Sequence, residues 1–206
     1  MKMRILTALV LAALTAACAA QDAPTEPVAW VDPPEILSDE SDYVISAATA
    51  TVPLSPEELR AYLAENGSLI AFMEPVGSIA PPVDSQAIRG TWPDEGSRRR
   101  LIQVDGHQIL ERSLKNEVTD FRYQAFALTS GAGWAVDHIY ADWSLTPVEG
   151  GTRFDWTYRV APKYGILRVF MNRMRDNELH PFMQGAMDRM AAAVRTEQQT
   201  VSASSQ

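Results

Sequence analysis

The feature that most constrains this chain is a change of period. From residue 98 to residue 160 apolar and polar residues tend to alternate, in segments separated by tight turns, and after Pro162 the spacing becomes helical. The segments 98–104 and 107–114 flank Asp105-Gly106, a strong short hairpin signal. Segments 120–128, 134–148 and 152–160 follow, separated by Ser130-Gly131-Ala132-Gly133 and Glu149-Gly150-Gly151. Even spacing with tight turns predicts a continuous antiparallel sheet. Residues 166–195 then place Leu167, Phe170, Met171, Met174, Leu179, Met183, Met187, Met190 and Val194 at helical spacing, with Pro181 expected to kink or divide the helix. Arg168, Arg173, Arg175 and Arg189 fall mostly on its solvent side.

Ahead of the meander, residues 43–54 are rich in Val, Ile, Thr and Ala and read as a first strand. Ser55-Pro56-Glu57-Glu58 opens a helix, with Ser55 as N-cap, Pro56 in the first turn and Glu58 closing a capping box. Asn66-Gly67-Ser68 stops it, and residues 69–73 form a second short helix. Residues 76–92, broken by Pro81-Pro82, suggest an irregular or edge strand.

Face assignments follow from burial. Phe154, Trp156, Tyr158 and Val160 must face the helix, since the opposite register would expose three rings and bury Arg153, Asp155, Thr157 and Arg159. The same logic turns Ile139, Ala141, Trp143 and Leu145 inward and His138 and Asp142 outward to water. In the earlier hairpin Ile109 and Glu111 share one face while Leu110, Arg112 and Leu114 share the other, and a bulge could switch them.

A sheet this long twists and curls, so the final helix fills its concave side. The fold class is therefore α+β, a curved antiparallel sheet around a long C-terminal helix with two short helices after strand 1. This order resembles the helix-grip fold of the START-like (SRPBCC) superfamily, specifically the bacterial polyketide cyclase/dehydrase and lipid-transfer group. The stretch Trp143-Ser144-Leu145-Thr146-Pro147, with Gly150-Gly151-Thr152-Arg153-Phe154-Asp155-Trp156-Thr157-Tyr158, is similar to that group's penultimate hairpin, and Leu110-Glu111-Arg112 to its Glu-Arg step. The resemblance places Glu111 and Tyr123 toward the interior.

The N-terminus reads as an address. Lys2 and Arg4 precede an apolar run over residues 5–14, too short to span a bilayer, and small residues lead to Cys18, the sole cysteine. The placement resembles the lipobox of bacterial lipoproteins, with Thr15 where Leu is commonest. It implies cleavage after residue 17, acylation of Cys18 and a periplasmic, lipid-anchored protein of the cell envelope. Ala19, not Asp, after the cysteine leans toward the outer membrane. Residues 18–42 hold seven acids, no base and four prolines, and read as a tether reaching at most about 80 Å. Trp30, its one oddity, either docks on the domain, sits at the lipid surface or is incidental. The domain is then 43–196 and the tail 197–206 is expected to fray.

Net charge is −8, but residues 43–196 hold 16 bases against 18 acids, so the acidity belongs to the tether. No general field gathers nucleic acid, and Arg98-Arg99-Arg100, the only basic run, reads as a solvated strand end. His107, His138 and His180 have no ligand spacing, so neither a metal nor a cofactor is expected. A hydrophobic small molecule or lipid is the expected partner of a monomer, in a groove between sheet and helix. Trp143, Phe154, Trp156, Tyr158, Phe170, Met171, Met174, Met183, Met187 and Tyr123 would line it. Adaptable thioethers suit a wall closing over variable guests, and ordinary core filling explains the same stripe. Two alternatives stay open: a cyclase or dehydratase using Glu111 and Tyr123 as acid and base, and an envelope interaction protein whose groove is filled by its own side chains.

Overall fold

The computed structural model describes residues 22–204; the signal peptide read over 1–17 and Cys18 lie outside the described residues. Seven strands form one antiparallel sheet: β1 (Val44–Val52), β2 (Pro82–Arg89), β3 (Arg98–Gln103), β4 (Gln108–Asn116), β5 (Asp120–Phe126), β6 (Val136–Val148) and β7 (Gly151–Pro162). Their order is β1-β7-β6-β5-β4-β3-β2, a meander closed at one edge by the first strand. Helix α1 (Pro56–Glu65) and a 3₁₀ turn (Leu69–Phe72) link β1 to β2. Ser55 accepts from the Glu58 amide at 3.2 Å and Glu58 from the Ser55 amide at 2.8 Å, so the capping box forms as the sequence implies.

The turn before β7 requires glycine. Gly151 has φ +149°, and a Cβ on it would stand 2.0 Å from the Val52 carbonyl oxygen. That close approach lets β7 pair with β1 from its first residues, Thr152 opposite Val52. Further along, large residues of β7 face small ones of β1: Phe154 opposite Ala50, Trp156 opposite Ala48, Tyr158 opposite Ser46. The C-terminal helix lies against β1, where those small side chains leave it room.

That helix is divided, although not at Pro181. It comprises α2 (Arg168–Met174), a π-helical turn (Arg175–Leu179) and α3 (His180–Ser204). Pro181 sits in the first turn of α3, and the wider π turn just before it accommodates a ring that would otherwise meet the carbonyl four residues back. The helix also continues through the residues expected to fray, to Ser204, with Gln198 Nε2 donating to the Pro53 carbonyl at 2.8 Å.

The tether is the larger departure. Residues 22–42 run over the convex face of the sheet. The Val28 amide donates to Gln108 Oε1 at 2.8 Å, Arg100 donates to the Val28 carbonyl, and Gln124 Nε2 donates to the Pro34 carbonyl at 2.9 Å. Trp30 docks edge-on against Phe126 at 5.2 Å with the Arg98 guanidinium 4.5 Å above its ring. An acidic, proline-rich strap with one aromatic anchor meets a face already carrying arginines. Composition alone hides this, because it counts the strap's own apolar surface and not the surface it covers. His138 is consequently not open to water: it lies on the convex face but is fully buried, beside Tyr43 Oη at 3.3 Å and Asp137 at 2.9 Å. Asp142, also on that face, pairs with Arg122 and Arg159.

Trp30→Ala removes the strap's anchor. It should lower unfolding free energy by about 2 kcal/mol in urea titration and open residues 22–37 to limited proteolysis.

Candidate functional site

The concave face carries the aromatic wall that the alternation implies. Phe121, Trp143 and Trp156 lie in one row of paired positions, Tyr123, Ala141 and Tyr158 in the next, and Glu111, Ala125 and Ile139 beyond. The rings touch in sequence: Phe121–Trp143 at 5.1 Å, Trp143–Phe154 at 5.2 Å, Trp156–Tyr158 at 4.8 Å, mostly edge to face. Met171, Met183, Met187 and Met190 come down on this wall from the helix.

At the β3–β5 side the wall becomes polar. Glu111 is buried and accepts from Arg99 Nε at 2.7 Å. Tyr123 and Tyr158 join their hydroxyls at 3.0 Å. Trp92, from the β2–β3 loop, stacks on the Arg99 guanidinium at 3.8 Å and meets Phe121 and Tyr123 edge-on, closing the cluster on that side. Burial pushes the Glu111 carboxyl above its ordinary value, and the Arg99 charge and hydrogen bond pull it back less strongly. Burial also raises both tyrosine hydroxyls, Tyr123 furthest; the Glu111 charge adds to both, and Tyr158 adds to the rise of Tyr123 while the hydrogen bond with Tyr123 partly offsets that of Tyr158. At neutral pH both therefore stay protonated, as donors.

Sequence reasoning brings Glu111, Tyr123, Trp143, Phe154, Trp156 and Tyr158 onto this face, as the structure does. Register resolves the ambiguous hairpin, with Glu111 opposite Ala125 on this face and Leu110 opposite Phe126 on the other, and β4 bulges only beyond them, between Ser113 and Lys115. Phe170 is different: it is 48% exposed, at the rim against Trp134 at 6.0 Å, while Met174 is half-buried. Phe154, Trp156, Met183 and Met187 have no surface that a water-sized sphere can touch, so this conformation holds them in direct contact with one another and their neighbours.

Arg99 and Trp92 are the members that sequence reasoning missed. The run Arg98-Arg99-Arg100 is not a solvated strand end. Strand alternation sends Arg98 and Arg100 to the convex face, against Trp30 and Val28, and Arg99 inward. Only the structure gives this strand a face, burying Arg99 with Leu101 and Gln103; in the sequence the apolar Leu101 and Ile102 leave either face open. A hollow of about 280 Å³ opens on the convex face beneath Leu37 and Ser38. Its Arg122 and Arg159 are already held by Asp120, Asp142 and Glu40, which leaves no charge free for an anion. Among the described residues no group of three or more His, Cys, Asp or Glu side chains is placed to hold a metal.

The family model "Polyketide cyclase / dehydrase and lipid transport" matches residues 44–195. No curated protein matches the chain. Among solved structures it is similar to the di-domain ARO/CYC StfQ from the steffimycin biosynthetic pathway, with 12% identity over 78% of this chain and 54% of that one and a TM-score of 0.58. It is similar to Ara h 8.0201 (15% identity, 74% and 98% coverage, TM-score 0.52) and to XoxI from Bacillus cereus (14%, 73% and 94%, 0.51). At these identities the likeness is one of fold.

Two substitutions separate the roles of the buried pair. Glu111→Ala strands the Arg99 charge and should cost about 3–5 kcal/mol in chemical denaturation. In Glu111→Gln the pH dependence changes. A carboxyl raised in the folded state binds its proton more tightly there, so its stabilising effect is full below its ordinary value of 4.5 and fades as the pH rises through the folded value. The urea midpoint of the unsubstituted protein should therefore fall relative to that of Glu111→Gln as pH rises above 4.5.

Proposed function

The chain belongs to the polyketide cyclase / dehydrase and lipid transport family, and on that footing we propose that it is a membrane-anchored envelope module that binds a hydrophobic small molecule or lipid between the concave face and the C-terminal helix. The observation that carries the reading is the buried wall of rings ending in Arg99, Glu111, Tyr123 and Tyr158. An apolar surface with a few converging polar groups suits a guest with a greasy body and a hydrogen-bonding end. Water leaves the greasy part at roughly 25 cal/mol per Å² of apolar area, before the costs of association. Admitting the guest requires the helix to lift and its methionines to change rotamer, which thioether side chains do at low cost. Acylated Cys18 supplies the anchor and the periplasm the setting.

Catalysis by Glu111 and Tyr123 is not part of this reading. The carboxylate is engaged by Arg99, and a phenol raised so far yields no proton near neutrality. A second reading, an interaction module with a groove filled by its own side chains, is favoured by the absence of accessible surface on Phe154, Trp156, Met183 and Met187.

Native mass spectrometry of the lipidated protein, extracted from its own membrane, decides between them. Binding predicts an additional lipophilic mass, and Tyr123→Phe with Tyr158→Phe should weaken its retention by about ten-fold per lost hydrogen bond. A bare protein mass together with no uptake of a lipophilic dye would leave the filled groove as the correct account.

A further inference from the structure

The helix over the concave face is apolar on its outer side as well at one end. A surface helix buries an apolar stripe and shows water a polar one. In α2 and the turn before it, Leu167 and Met171 are buried as expected, yet the outward side is apolar too. Ile166 is 87% exposed, Val169 81%, Tyr164 65% and Phe170 48%. Residues 160–175 contain Lys163, Arg168, Arg173 and Arg175 and no acid, in a chain whose net charge is −8. Of these only Arg175 has a carboxylate partner among the described residues; Lys163 and Arg168 donate to the carbonyls of Gly133 and Ser41.

We propose that Tyr164, Ile166, Val169 and Phe170, ringed by Lys163, Arg168 and Arg173, dock this end of the domain into an anionic lipid bilayer surface. Apolar side chains enter the boundary between headgroups and acyl chains while cations beside them meet lipid phosphates, the arrangement by which proteins bind a membrane interface without crossing it. Among the described residues no helix is long and apolar enough to cross one.

The topology supplies an independent argument. In an antiparallel meander β7 ends where the β3–β4 turn lies, and at that turn Gly106 stands against Ala23, near the start of the described chain. Asp22 and the apolar tip therefore sit at the same end of the sheet, with the tip three strands from β4, about 15 Å across. Three residues separate Cys18 from Asp22, four Cα-to-Cα steps and at most about 14 Å of chain. An acyl anchor at Cys18 would hold this end, and no other, against the bilayer. This second argument rests on the anchoring proposed above; the apolar tip and its cations do not.

The test uses the processed chain, residues 18–206, which contains every described residue, with Cys18→Ser so that no acyl chain contributes. It should float with vesicles of phosphatidylethanolamine and phosphatidylglycerol, and less with phosphatidylcholine alone. Ile166→Asp with Val169→Asp should reduce the bound fraction at least about ten-fold with an unchanged melting curve, since both side chains are already exposed. Arg168→Gln with Arg173→Gln should weaken binding to the anionic vesicles only. Lipophilic dye uptake without vesicles should be equal in all variants, so failure of the groove and failure of the tip are read separately. No flotation, flotation unaffected by the paired aspartates, or a dimer in sedimentation that those aspartates dissolve would overturn the proposal.

Discussion

The packing of the whole domain depends on large residues in β7 standing opposite small ones in β1. Phe154, Trp156 and Tyr158 need depth above the sheet, while the helix needs to approach it closely; pairing them with Ala50, Ala48 and Ser46 satisfies both within one hydrogen-bonded ladder. The helix settles over the small side, and its methionines lean across onto the rings. Exchanging large for small within any one pair would preserve the strands and displace the helix. Gly151 belongs to the same constraint, because the close pass at Val52 starts the ladder in the register that puts rings opposite alanines.

The two faces of the sheet are also finished differently. The concave side is closed by the protein's own helix, and the convex side by a strap that contributes almost no regular structure. Leu110 and Phe126, fully buried on the convex side, would be exposed on a bare meander, and Trp30 is the side chain the strap brings onto Phe126. Arg98 and Arg100 fasten the strap by stacking and by hydrogen bonding rather than by pairing with its acids, while Glu40 near its end pairs with Arg159.

Much of this was legible in the sequence where one local rule decides the outcome. The capping box at Ser55, the turn at Asp105-Gly106 and the alternation through Phe154, Trp156 and Tyr158 each depend on neighbours a few residues away. The parts that were not legible depend on partners far along the chain. Arg99 looks like its two neighbours until the strand is given a face and Glu111 is placed twelve residues on. Trp92 lies in a loop, where no period marks it, and its role comes from reaching Arg99 and Tyr123. Pro181 announces an interruption, and it falls upstream in the π turn over residues 175–179, which holds the carbonyl four residues back from the ring. Trp30 is the extreme case, since its partner Phe126 is 96 residues away.

The docked strap changes what kind of agent this molecule can be. A free leash of 24 residues would let the domain roam several nanometres from its attachment point. With the leash folded onto the sheet, a domain attached at Cys18 has almost no slack and a fixed attitude. Were the domain attached there, as proposed, it could not shuttle a guest across an aqueous gap; a guest would have to be delivered to its station or drawn from the leaflet beneath it.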